Sequence, residues 1–155
     1  MYILKRLAYV CFLNRKYAEA EKYFQVAAEM VPRVTKNPVN IFNAQKNLLL
    51  FYTHTDIDKA ETYGDRMLKD VDEYLPVHYK QICFMLANVH FLKGDHQGAK
   101  NLYRNVLKLA PKPVLEAKVL NNLAFTSWMH VLDLKSDKEV DEESKKLILK
   151  DESYV

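Results

Sequence analysis

The sequence predicts an all-α fold, a helical-repeat solenoid of antiparallel helix pairs. Three observations point to it. Apolar residues recur three and four apart through most of the chain, the spacing that lines one face of a helix. No stretch alternates apolar and polar residues over a useful length, and three glycines in 155 residues are too few for a fold rich in tight β-turns. The third is repetition. LAYVCFLNRKYAEAEKYFQVAAEMVP at residues 7–32 and LANVHFLKGDHQGAKNLYRNVLKLAP at residues 86–111 place their Leu-Ala, Ala, aromatic and Pro at matching positions.

Each element follows from local spacing. Residues 2–13 put Leu4, Leu7, Ala8, Cys11 and Phe12 on one helical face. Asn14-Arg15-Lys16 interrupts, and residues 17–31 resume with Ala20, Tyr23, Phe24, Ala27, Ala28 and Val31. Pro32 and Pro38 are expected to bracket a linker, because proline lacks the backbone donor a helix needs. Residues 41–52 read as a third helix. Asp56 is the expected N-cap of a fourth, which runs through Ala60, Tyr63, Met67 and Val71. Pro76 opens a fifth that reaches about Leu92, and Lys93-Gly94-Asp95 turns the chain. The sixth runs to Leu109, where APKP ends it, and the seventh covers residues 114–134. Ser136 and Glu139 have capping-box spacing and predict a polar eighth helix ending near Lys150.

The helices pair, and the pairs repeat. One unit reads Leu4-x2-Leu7-Ala8-x2-Cys11, then Ala20-x3-Phe24, then Pro32; another reads Cys83-x2-Leu86-Ala87-x2-His90, then Ala99-x3-Tyr103, then Pro111. The unit between them has Leu48 in the small-residue place, with Leu49 as the other possible register; it keeps Ala60 but has Gly64 in place of the aromatic. The last keeps Leu120-x2-Leu123-Ala124-x2-Ser127, with an insertion expected around KSDKEVDEE. This pattern resembles the tetratricopeptide-repeat family, whose unit is a helix-turn-helix of about 34 residues with W-x2-L-G-x2-Y, A-x3-F and P. The units here are longer, 40 residues from Ala20 to Ala60 and 39 from Ala60 to Ala99. The extra residues are expected in the linkers at 32–38 and 70–79. The longer unit, with LNNLA at 120–124, is similar to the repeats of kinesin light chains. Residues 1–155 are expected to form one domain, with units at about 1–36, 39–75, 77–112 and a degenerate 113–155. Small residues at Ala8, Ala87, Ala124, Ala20, Ala60 and Ala99 are expected where paired helices touch. One pair cannot bury its apolar face alone, so pairs stack, in this family as a right-handed superhelix.

The resemblance implies a role in protein–protein interaction, with the first helices of the units lining a concave groove. Four residues beyond Ala8, Leu48, Ala87 and Ala124 stand Phe12, Tyr52, Phe91 and Trp128. With Tyr9, Phe84, Asn88, Asn122 and Phe125 they form the expected partner-binding set, one that suits an apolar helix or extended peptide. These aromatics could instead be ordinary core between repeats. The carboxylate clamp by which family members grip acidic chaperone tails is missing. Lys5 fits its first position, but Tyr9 replaces the asparagine, and Gln81 and Met85 replace the basic residues.

Composition narrows the classes further. A net charge of +3 does not demand a polyanionic partner, and no nucleic acid is expected. No apolar run approaches the ~20 residues of a membrane span. The basic start, with Lys5, Arg6, Arg15 and Lys16 before the first acid at Glu19, has the look of a transit peptide; its in-register match to residues 80–100 makes it the first helix of a repeat. Cys11 and Cys83 lie in helical apolar patterns and suggest a reducing, intracellular compartment, either cytoplasm or the mitochondrial interior. The five histidines have no i, i+4 pair and no Cys neighbours, so neither a metal nor another cofactor is expected. No P-loop or GxGxxG is present, and an enzyme is not expected. The expected function is an interaction scaffold or assembly factor. The alternative is a structural subunit embedded in a larger complex, for instance a mitochondrial one, since EESKKLILK makes a feeble cap and the chain reads as part of a longer chain or complex.

Overall fold

The structure is a computed structural model that describes residues 2–70 and 76–136. Among the described residues it is all-α, with seven helices and no strand: α1 Tyr2–Leu13, α2 Tyr17–Val34, α3 Pro38–Thr55, α4 Ile57–Asp70, α5 Pro76–Leu92, α6 His96–Lys108 and α7 Pro113–Ser136. The chain divides into two compact units, Met1–Asp70 and Val71–Val155. In the first, α1 packs on α2, α2 on α3 and α3 on α4; in the second, α5 packs on α6 and α6 on α7. The predicted eighth helix lies outside the described residues.

The repeated sequence produces repeated backbone geometry. In α1 the Lys16 N–H reaches back to the Cys11 carbonyl at 2.9 Å and the Arg15 N–H to Phe12 at 3.0 Å. In α5 the Asp95 N–H bonds His90 at 2.9 Å and the Gly94 N–H bonds Phe91 at 3.0 Å. Both are the reversed closure that satisfies orphan carbonyls at a helix C-terminus, and it needs one left-handed residue. Gly94 takes that role at φ 82° and Arg15 at φ 58°. The following helices open alike, with Ala20 N–H on the Lys16 carbonyl and Ala99 N–H on Asp95, both at 3.0 Å. Asp95 adds a side-chain cap on Gly98 N–H at 2.9 Å. A Cβ on Gly98 would lie 2.1 Å from that Asp95 carboxylate, so glycine permits the cap.

The linker expected at 32–38 is mostly helix. α2 continues through Pro32 to Val34, and Thr35 N–H closes it on the Val31 carbonyl at 2.9 Å. Pro32 removes one donor near the end of the helix, and the turn beyond it is still closed from Thr35. Pro38 does not end a linker but opens α3, where a missing N–H costs nothing; Asn37 caps that helix by accepting from Val39 N–H at 3.0 Å. The extra length around 32–38 therefore sits in the ends of α2 and α3, with only residues 35–37 between them. Asp56 caps α4 as expected, accepting from Lys59 N–H at 3.1 Å.

Ala8, Ala20, Ala60, Ala87 and Ala99 are wholly buried, as expected for close helix contacts. Ala124 departs from this and is exposed. The buried stripe of α7 is Val119, Leu123, Thr126 and Ser127, and Ala124 lies about 100° round the helix from Leu123.

Candidate partner-binding surfaces

In the first unit the aromatic residues close on one another. Tyr9 meets the Phe24 ring edge-on at 5.5 Å, and Phe12 meets Phe51 at 6.0 Å in the same manner. Phe24 and Phe51 are buried and lie 5.3 Å apart. Between α1 and α3 they leave an apolar hollow of about 200 Å³, lined by Tyr9, Phe12, Phe24, Leu50, Phe51 and His54 with Asn47. Tyr52 does not reach this hollow. It is buried, and its hydroxyl donates to Glu21 Oε1 at 3.2 Å and accepts from Gln25 Nε2 at 3.0 Å. Lys59 completes the cluster on Glu21 at 2.8 Å. Burial, with a smaller contribution from the Glu21 charge, pushes the Tyr52 hydroxyl above its ordinary range.

In the second unit the aromatics run outward. Phe91 of α5 lies 5.6 Å from Phe125 of α7, and Phe125 lies 5.8 Å from Trp128. Phe125 is 48% and Trp128 56% exposed, whereas Phe91 is only partly so. The three form a graded apolar ridge, rooted at α5 and open to solvent along α7. Phe84 packs on Tyr103 at 6.1 Å. Asn88 and Asn122 join the two helices beside it, with Asn122 Nδ2 donating to Asn88 Oδ1 at 3.0 Å. The buried Tyr103 hydroxyl donates to the same Asn88 oxygen. Each asparagine thus has a structural duty beside whatever it offers a partner.

Neither the bond from the Tyr103 hydroxyl to Asn88 nor the α6–α7 clasp, where His96 Nε2 meets Asp133 Oδ2 at 2.7 Å, has a signal in the sequence. Both link residues on different helices, beyond any single-helix periodicity. Leu50 and His54 of the first-unit hollow were also missed, though both stand on α3 near its aromatic pair.

Both cysteines are buried, and burial holds the Cys83 thiol above its ordinary range, away from the nucleophilic thiolate. Among the described residues no group of three or more His, Cys, Asp or Glu could hold a metal ion, and no helix is long and apolar enough to cross a membrane.

A comparison with curated proteins returned no match. A comparison with protein families matched residues 81–113 to the family described as Tetratricopeptide repeat. The matched stretch covers most of α5, all of α6 and the turn between them. Such repeats serve in general as protein-interaction units rather than catalysts. With helices that pack on their sequence neighbours within each unit and a matched repeat at its centre, the chain bears out the resemblance to the tetratricopeptide-repeat family.

Proposed function

We propose that this chain is an interaction scaffold or assembly factor that binds a partner protein through exposed aromatic side chains. The observation that carries the reading is the ridge of Phe91, Phe125 and Trp128, in which Trp128 packs on Phe125 and Phe125 on Phe91 while Phe125 and Trp128 stand half in water. Side chains held in one orientation by their neighbours lose little entropy on binding, so burying them favours association. The partner offers an apolar helix or extended segment. The hollow beside Tyr9 and Phe12 is a second apolar contact point, on the first unit. Affinity rests on buried apolar surface rather than on paired charge, so it is weakly salt-dependent.

The test is a quantitative pull-down from the native source with the wild-type chain and a Phe125→Ser/Trp128→Ser double variant. Proteins retained by the first and lost from the second are identified by mass spectrometry. Equal recovery of every protein by both chains rejects the reading.

A further inference from the structure

A histidine stands at the foot of the Phe91–Phe125–Trp128 ridge. The His96 ring of α6 lies 5.6 Å from the ring of Phe91, which lies 5.6 Å from that of Phe125. It also lies 6.0 Å from the ring of His130 on α7. His96 is buried, and its Nδ1 makes no hydrogen bond. Its Nε2 meets the Asp133 carboxylate at 2.7 Å. The proton of the neutral ring therefore sits on Nε2 and is donated to Asp133, which fastens α6 to α7. Phe91, and through it the ridge, packs against a ring that this one carboxylate orients.

Asp133 has a second imidazole within reach along its own helix. His130 stands three residues before it, the spacing at which side chains on a helix meet. Among the described residues, the groups that face His130 are His96 and the wholly buried Lys100 of α6 and Asp133 of α7. A hollow of about 280 Å³ brings Asp95, His96, His130 and Asp133 to its walls and opens the joint to solvent. The Asp95 carboxylate is engaged there, with Oδ2 on His90 of α5 at 2.7 Å and Oδ1 on the Gly98 N–H at 2.9 Å. Asp133 is therefore the described carboxylate placed to balance a charge on His130. Burial first, then Lys100 and His96, keep that charge away at neutral pH. We infer that the ridge is acid-sensitive: when His130 gains a proton, Asp133 turns from His96 to His130, the α6–α7 clasp opens, and Phe91 and Phe125 lose the packing that holds Trp128. A partner is then bound at neutral pH and released in acid. That consequence rests on the function proposed above, whereas the rearrangement of the ridge does not.

Trp128 is the single tryptophan of the chain, so its fluorescence reads the ridge without a partner. The emission maximum of the full chain is followed from about pH 8 to about pH 5, with far-UV circular dichroism recorded alongside. The expected result is a reversible shift to longer wavelength with its midpoint below about 6.5 and unchanged helicity. His130→Gln abolishes the shift, and Asp133→Ala gives the acid-state maximum already at about pH 8. The second variant separates loss of the clasp from a direct effect of the imidazolium on the indole, which would survive it. His130→Asn repeats the first test should His130→Gln disturb folding. The inference is overturned by no shift, by a shift that persists in either His130 variant or in Asp133→Ala, by a shift that follows loss of helicity, or by unfolding of both His130 variants. The wild-type affinity for a captured partner falls about tenfold or more between about pH 7.5 and pH 5.5, and less than about twofold in His130→Gln; equal wild-type affinity at both pH values overturns the coupling. A chain that shows the shift and captures no partner rejects the function proposed above and upholds the acid-sensitive joint.

Discussion

In the first unit Phe24, Phe51 and Tyr52 are buried among themselves, and Tyr9 and Phe12 lean onto them. Among the described aromatic residues of the second unit only Tyr103 is fully enclosed, while Phe125 and Trp128 stand half in water. The two units use the same helical spacing for these residues. Spacing within a helix decides which side chains share a face; the neighbouring helix decides whether that face is closed. α3 brings Phe51 between Phe12 and Phe24, whereas α7 turns Trp128 away from its buried stripe of Val119, Leu123 and Thr126. The buried aromatics of the first unit therefore contribute to stability, and the exposed Phe125 and Trp128 of the second are available for contact.

The largest effect expected from this difference is in stability. Phe51→Ala, by emptying a packed core site, costs about 3–5 kcal/mol, while Trp128→Ala costs under about 1 kcal/mol, as for an exposed position. Urea denaturation of both variants checks this, and equal losses would erase the distinction between the units. Next in size come Ala20→Leu and Ala99→Leu, each destabilising by about 1–3 kcal/mol through overpacking where two helices touch. Unchanged urea midpoints would mean these fully buried sites are not close contacts.

A smaller effect comes from the equivalent turns. Arg15 holds a left-handed backbone that Gly94 adopts without strain, so Arg15→Gly stabilises by up to about 1 kcal/mol. Gly94→Ala destabilises by a similar ~1 kcal/mol, although no atom lies within 4 Å of the added Cβ. Thermal melts of the pair should move in opposite directions.

The smallest effect is a pH dependence confined to the second unit. Burial first, then the charge of Lys100 and of His96, hold the His130 imidazole below its ordinary range, with Asp133 opposing them weakly. The unfolded chain takes up this proton before the folded one does. The contribution to stability is complete above the ordinary histidine pKa of about 6.5 and is lost as the pH falls through it. His130→Gln should flatten the melting temperature between about pH 8 and pH 5, and a slope unchanged by the substitution would contradict this.

Much of the fold was legible because it is local. Ala20, Ala60 and Ala99 mark the helix contacts, Asp56 caps the helix it precedes, Lys93-Gly94-Asp95 turns the chain, and the Leu-Ala-to-Pro repeat reappears as matching turn bonds. Pro32 misled because a proline near a helix end removes one hydrogen bond and need not stop the helix. Ala124 misled because the last unit keeps the letters of the pattern while its buried stripe lies elsewhere on α7. The aromatic positions were legible as a set, but their division was not. The bond from Tyr52 to Glu21 spans 31 residues, and no periodicity in either helix announces it.

If the Phe125–Trp128 ridge serves a partner rather than the core, one paired measurement on Trp128→Ala tests it most directly. The melting temperature and the affinity for the partner captured by the wild-type chain are determined on the same preparation, by circular dichroism and calorimetric titration. The expected result is a melting temperature within about 2 °C of wild type and an affinity weakened by about tenfold or more. A melting temperature lowered by about 10 °C or more, with affinity per folded molecule unchanged, would contradict it and make the ridge part of the packing.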